Sequence, residues 1–463
     1  MNEDGRHDEK AEGGDHGEWV CPLPDADQTR NILIYSVNWG LIYLASPVTY
    51  VGVVQATLID RLGFSNSEAN LPASAYLWSM PLAVLVIWLF PQVRALRPML
   101  ITALASAAVM GGLVAFAVTA MSPRAILTAL VAYAVVWGCG NGVIATCQWE
   151  MIGRGVSASR RGQALALAFG AGPILAVIAS LGSQLIMGGD AKVPGFLAWM
   201  PRPGYPWNFA TLYLASVLVL GAAAIQSWFF IVPRPVAEVR RQPFVSGVFG
   251  GFLDYLGSRP IFFAAIAYIM VYSGHEILQN LSLYTREVLG ESPDSYAGLL
   301  LALRFGFKVA AGFFLGWLLV KTDPRTLLLA TAGLTFLAVL WGAVVPGWWF
   351  LLASGILGAG ELFGVYYPNY ILDCSPRSQI RRNMVFTNMI TMLVGFAPVV
   401  YGWISDTFGE DDKKFGFRVS FAVSLAVLAA TMILVRLTLP ARPRPSESPS
   451  TFQENTVGES QAA

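Results

Sequence analysis

Tyr268, Tyr272, His275, Glu276, Gln279 and Asn280 recur at helical spacing and fall on one face of an otherwise apolar run, 260–284. A second apolar run, 295–320, carries Arg304 and Lys308 one turn apart, and a third, 348–372, carries Glu361 among Gly358, Gly360 and Gly364. Each run is long enough to cross a bilayer, where an ionisable group near the centre costs roughly 2.5–3.5 kcal/mol. Two carboxyls, two cations and a histidine at one depth therefore call for a use. His275, Glu276 and Glu361 are candidates to carry a coupling proton, because histidine titrates near neutrality and burial favours the protonated form of a carboxyl. Arg304 and Lys308 are candidates to hold an anionic group on a substrate, one as a planar fork and the other as a point charge. Tyr272, Gln279 and Asn280 would line the same site, faced across it by the neutral groups Asn38 and Asn141. The alternative is a salt-bridge network that only locks these helices together, with Arg304 and Glu276 the natural pair. Buried pairs stabilise poorly, because desolvation offsets most of their attraction, which weakens that alternative and leaves it open.

Those groups have to be positioned by a membrane-embedded scaffold. Of 463 residues, 55% are hydrophobic and 13% charged, against about 25% charged in a soluble domain. Twelve apolar runs cover 31–57, 70–91, 98–120, 125–151, 161–187, 207–232, 260–284, 295–320, 326–345, 348–372, 383–405 and 418–438; they are called helices 1 to 12. With the N-terminus inside, the inner loops, tails and span ends hold twenty Lys and Arg, the outer ones eight, and only Arg304 and Lys308 lie in the interior of spans. The positive-inside rule then puts both termini in the cytoplasm. The expected fold is all-α and integral to the membrane, twelve transmembrane helices in two pseudo-symmetric six-helix halves. Its parts are a disordered tail over 1–29, one half over 30–232, a cytoplasmic loop over 233–259, the second half over 260–440 and a disordered tail over 441–463. The first 28 residues lack the basic start, apolar centre and cleavage site of a signal peptide, so helix 1 is expected to act as the insertion signal. Cys21, Cys139, Cys147 and Cys374 have no metal-ligand spacing and are expected to be reduced.

The chain also repeats itself weakly. Ser157-Ala-Ser-Arg160-Arg161 follows helix 4, and Ser378-Gln-Ile-Arg381-Arg382 follows helix 10. Arg94, Arg97 and Pro98 follow helix 2, as Lys321, Asp323, Pro324 and Arg325 follow helix 8. Similar offsets, 221 residues from Ser157 to Ser378 and 227 from Arg94 to Lys321, and equal helix counts indicate a six-plus-six repeat. Over residues 30–440 the sequence resembles the major facilitator superfamily. Gly316-Trp-Leu-Leu-Val-Lys321-Thr-Asp323-Pro-Arg325 looks like a decayed copy of that family's loop signature, and Gly402-Trp-Ile-Ser-Asp406-Thr-Phe-Gly409 like a related segment. The loop after helix 2 keeps the basic residues but lacks the family's glycine and aspartate. The resemblance implies gate residues at Asp323, Arg325 and Asp406, with Glu150 and Arg154 as remnants of an inner charge network. Ala168-Phe-Gly-Ala-Gly172-Pro173 in helix 5 is similar to the family's antiporter signature, with alanines in place of two glycines; small residues there serve equally for close helix packing.

A net charge of +1 gives no sign of a nucleic-acid partner, and the sequence has neither a phosphate-binding G-x-x-x-x-G-K-[ST] loop nor a nucleophile motif. A non-enzyme without cofactors is expected. The reading is a monomeric secondary transporter in the cytoplasmic (inner) membrane, moving a small anionic or zwitterionic organic solute with protons as coupling ion. The alternatives are a proton-driven drug or metabolite exporter and a membrane sensor that keeps the fold without transporting.

Overall fold

A computed structural model describes residues 23–187, 203–233, 251–375 and 380–443. Residues 1–22 and 444–463 of the expected tails, most of the loop between the halves and Ser378 of the second S-x-x-R-R lie outside the described residues; the N-terminal tail expected over 1–29 is cut short by helix 1, which begins at Asp25. Among the described residues the chain is helical with no strand, and eleven helices are long and apolar enough to cross a membrane. They are helix 2 (Asn66–Leu89), helix 3 (Val93–Ala120), helix 4 (Pro123–Gly155), helix 5 (Arg160–Met187) and helix 6 (Trp207–Ser227) in the first half. The second half has helix 7 (Arg259–Leu283), helix 8 (Ala297–Lys321), helix 9 (Pro324–Val344), helix 10 (Gly347–Ile371), helix 11 (Val385–Thr407) and helix 12 (Lys413–Thr438).

Helix 1 completes the twelve, but in pieces: Asp25–Leu44, Ser46–Thr49 and Val53–Arg61. Pro47 has no N–H for a continuous ladder. Gly52 then takes φ +149, which an L side chain rarely adopts, and an added Cβ there would lie 3.0 Å from Gln279 Nε2. Broken backbone at membrane depth is tolerated only where protein satisfies it. Gln55 Nε2 donates to Val48 O at 2.8 Å, Trp137 Nε1 to Thr49 O at 2.6 Å, and Gly52 N donates to Gln55 Oε1 at 2.9 Å.

The packing repeats with an offset of six. Helix 3 packs on helices 4 and 6, helix 2 on helix 4 and helix 1 on helix 6; helix 9 packs on 10 and 12, helix 8 on 10 and helix 7 on 12. The halves meet through two crossings that the same offset relates, helix 2 with helix 11 and helix 5 with helix 8. Thus the two-fold organisation suggested by short loop motifs is carried by every major helix pair. Small residues make the closest approaches, as expected where lipid supplies no hydrophobic drive between helices. A Cβ on Gly358 would stand 2.0 Å from Arg304 O, and one on Gly138 would stand 2.3 Å from Tyr76 O.

Candidate functional site

Between the halves lies a cavity of about 340 Å³, walled by both. Helix 1 contributes Trp39, Tyr43 and Tyr50, and helices 2, 4 and 5 contribute Tyr76, Trp137, Asn141 and Phe169. From the second half come Tyr268, Tyr272, His275 and Glu276 of helix 7, Arg304 and Lys308 of helix 8, and Glu361 and Phe363 of helix 10.

The charged groups are organised around Glu361. Arg304 Nε reaches Glu361 Oε2 at 2.8 Å, and Lys308 Nζ reaches Oε1 at 3.0 Å. The expected Arg304–Glu276 pair is therefore replaced by a three-membered cluster in which one carboxylate holds two cations. Its geometry follows from the helix 8–10 contact: with no side chain, Gly358 brings helix 10 onto the backbone of Arg304 itself. Glu361 then sits where helix 10 is interrupted, between Leu352–Gly360 and Phe363–Asp373. Tyr50, from the break in helix 1, lays its ring over both cations, 5.5 Å from Arg304 Cζ and 5.7 Å from Lys308 Nζ. A residue of the first half thus covers the charge of the second.

Glu276 is placed differently. Helix 7 also breaks, after His275, and resumes at Leu278. Gln279 Nε2 donates to Glu276 Oε2 at 3.3 Å, and no cation pairs with Glu276 among the described residues. His275 is 1% exposed with neither ring nitrogen hydrogen-bonded, and its ring packs edge-on against Phe363 at 5.1 Å.

One face of the molecule is sealed by contacts between the halves; we call it outer, following the Lys and Arg count. Arg286 holds Asp60 through two hydrogen bonds, 2.9 Å and 2.5 Å, and Arg61 pairs with Asp294. Asp406 accepts from the backbone N–H groups of Asn66 and Ser67 at 2.9 and 2.8 Å, so it caps helix 2 of the opposite half. Gln184 Nε2 donates to Ser295 O at 2.6 Å beside the Arg61–Asp294 pair, and one turn into helix 2 Asn70 Nδ2 donates to Asn280 Oδ1 at 2.9 Å. Val399 N, on helix 11, donates to Ser74 Oγ on helix 2 at 3.3 Å.

The twelve-helix arrangement superposes on known structures. A variant of the E. coli fucose:proton symporter FucP superposes with a TM-score of 0.58 at 17% identity, covering 89% of this chain and 100% of that one. A variant of the nucleoside transporter NupG gives 0.63 at 12% identity, with 89% and 100% covered. A bacterial homolog of the human lysosomal transporter Spinster, inward-facing and unoccupied, gives 0.63 at 15% identity, with 92% and 100% covered. The chain has the major facilitator fold. The sequence model of the Major Facilitator Superfamily matches residues 292–461, most of the second half. No curated protein sequence matches the chain.

Within this major facilitator fold the sequence-predicted residues divide. Tyr272, His275, Glu276, Arg304, Lys308, Glu361 and Asn141 line the cavity. Asn38, Gln279 and Asn280 are not among its lining residues. Asn38 is fully buried and ties helix 1 to helices 4 and 6 through Ala223 O, Gln226, Ser227 and Gln148. Asn280 bonds Tyr401 O and Ser405 on helix 11, Ser420 on helix 12 and Asn70 on helix 2. The break at Glu276 turns both Gln279 and Asn280 away from the stripe that a continuous helix would make. Of the expected gate residues, Asp406 joins the halves. Glu150 and Arg154 pair within helix 4 at 2.7 Å, Asp323 caps helix 9 through Thr326 N at 3.0 Å, and Arg325 donates to Leu439 O at 3.1 Å.

Of the aromatic wall, the sequence singled out only Tyr268 and Tyr272. Aromatic residues are common throughout the spans, and only packing selects those that converge. One signal was available in helix 5. Its Ala168-Phe-Gly-Ala-Gly-Pro segment lies in a π-helical turn, Ala166–Ala171, a distortion frequent at functional sites. The turn carries Phe169 to the cavity, 5.0 Å from Trp39.

The outer ion pairs allow a specific test of the gate. Arg61 and Arg286 side chains are 39% and 41% exposed, so each pair should contribute only about 0.2–1 kcal/mol. Neutralising Asp60 (Asp60→Asn) should therefore shift the balance toward an open outer face by no more than about fivefold. Spin labels on Ser122→Cys and Asp411→Cys, exposed positions of opposite halves, would report it as a longer distance population. The charge swap Asp60→Arg with Arg286→Asp should restore the short distance, and failure to do so would remove these pairs from the gate.

Proposed function

We propose that the protein is a secondary active transporter that moves a small anionic or zwitterionic organic solute by alternating access, coupled to protons. The observation that carries the reading is the Arg304–Glu361–Lys308 cluster, set in a cavity that both halves wall. Buried ion pairs are poor stabilisers, whereas a cavity between rocking halves is where a transporter of this organisation binds its cargo. The neighbouring fucose symporter works with protons. The ion pairs and hydrogen bonds that join the halves on the outer face support a state closed on that side.

The cluster suggests how a proton and an anion are coupled. Glu361 uses both carboxylate oxygens on its two cations. A proton on Glu361 removes that charge and leaves the Arg304 fork and the Lys308 ammonium for an anionic group of the solute. Loss of the proton re-forms the cluster and displaces the solute. His275 and Glu276 are the other groups in the cavity able to exchange protons.

The lysine- and arginine-rich side is read as cytoplasmic, with both termini there, and the membrane as the inner membrane of a bacterium. The working unit is read as the monomer, since the cavity is complete within one chain. The test is counterflow in proteoliposomes after a thermal-shift screen of small metabolites near pH 6 and pH 8. A ligand at 100 times its dissociation constant adds about 2.7 kcal/mol of stability. Exchange of labelled for unlabelled ligand across the bilayer supports transport; binding without exchange would make the protein a sensor.

A further inference from the structure

Two carboxylates face the cavity, and they are not equivalent. Glu361 is saturated by Arg304 and Lys308. Glu276 is 9% exposed, has only the 3.3 Å contact from Gln279, and has no cationic partner among the described residues. Beside it stands His275, buried and without a hydrogen bond at either nitrogen. The surrounding surface is aromatic. Tyr272 lies 5.1 Å from Phe363 and 5.9 Å from Tyr268, ring centre to ring centre.

An unpaired carboxylate within aromatic walls is the environment that favours a cation: the carboxylate supplies charge and hydrogen-bond acceptors, and ring faces attract a positive nitrogen. Sugars and other neutral polyols would leave that charge unmet. A purely anionic solute would place like charge beside it. Resting on the transport reading above, we propose that Glu276, in the cavity that Tyr76, Tyr272 and Phe363 also line, binds a cationic nitrogen of the solute while Arg304 and Lys308 take its anionic group. The substrate class is then an amphoteric amine of the amino-acid type, bound across the cavity with its two charges on helices 7 and 8. At about 340 Å³ the cavity lies at the small end of ligand pockets, which excludes long chains.

The test uses the full-length protein in detergent, with the common amino acids as probes, each beside its N-acetyl derivative and its decarboxylated amine. Binding is read by thermal shift and calorimetry. The expected result is binding of at least one amino acid at least tenfold tighter than of its N-acetyl derivative. In Glu276→Gln that ratio should fall to near one, while Glu276→Asp should retain most of it. Loss of the ratio in Gln with recovery in Asp separates a ligand contact from a folding defect. The proposal is overturned if acetylated and free forms bind equally to the native protein, if the preference survives Glu276→Gln, or if no amino acid or amine binds. Counterflow of a neutral or purely anionic solute would keep the transport reading and remove the amine site. Amino-acid binding that depends on Glu276 but gives no counterflow would do the reverse.

Discussion

Glu361→Gln should abolish accumulation driven by a pH gradient while leaving ligand counterflow at equal pH on both sides. The amide mimics the protonated carboxyl in shape and charge, so the variant stays in the state that presents Arg304 and Lys308 to the solute. Coupling needs Glu361 to alternate between holding the cations and releasing them, and glutamine cannot take the charged form. A stability change should accompany the transport change. Arg304 and Lys308 side chains are 7% and 15% exposed, and removing one partner from a buried charge cluster costs about 3–5 kcal/mol. The partial exposure of Lys308 moves the expectation to the lower end. Because the loss comes from unmet positive charge, an anionic ligand should recover much of it. Ligand protection should thus be larger in Glu361→Gln than in the native protein. A variant that still accumulates ligand down a pH gradient would take the coupling role away from Glu361. The reciprocal change, Lys308→Ala, leaves Glu361 paired with Arg304 and should weaken binding of the anionic group without this sensitisation.

The sequence located these groups because charge inside an apolar run is conspicuous: Arg304, Lys308, Glu361, His275 and Glu276 all reach the cavity. The fold class was equally legible, since hydropathy and loop charge are local properties. Partners within the cluster were not legible. Arg304 chooses Glu361 over Glu276 because helix 10 approaches the Arg304 backbone at Gly358, and a contact 54 residues apart leaves no periodic trace. Helical periodicity misled at Gln279 and Asn280, where it assumes an unbroken helix and the chain breaks at Glu276. The same assumption hid the form of helix 1, whose interruption places Tyr50 over the cations. Asn38 was expected to face the site from the first half; its amide is consumed by helices 4 and 6. In each case the error came from reading one helix at a time.

Gly298→Ala and Gly402→Ala should hold the protein with its outer face open, and the cause is steric. A Cβ on Gly298 of helix 8 would lie 2.4 Å from Gln184 N on helix 5, and one on Gly402 of helix 11 would lie 2.6 Å from Asn66 O at the start of helix 2. Both obstructions are backbone atoms of the opposite half, which cannot rotate away as a side chain can. Overpacking of this kind typically costs 1–3 kcal/mol, and here the cost applies only while the halves are in contact on this side. Separation of the outer face relieves it, so the penalty appears as a shift in the conformational balance and only weakly as loss of fold. At about 2 kcal/mol the shift is roughly thirtyfold, several times the expected effect of Asp60→Asn. The two glycines sit at the two symmetry-related crossings, helix 8 on 5 and helix 11 on 2, so the double variant should exceed either single one. Labels on Ser122→Cys and Asp411→Cys would show a dominant long distance, and net transport should fall while ligand still binds from the outer side. Gly306, on the same helix 8 but with open space where its Cβ would go, is the control: Gly306→Ala should leave the distances unchanged. If Gly298→Ala instead lowers thermal stability without lengthening the label distance, the two halves do not part along these crossings, and the outer seal is a permanent part of the fold.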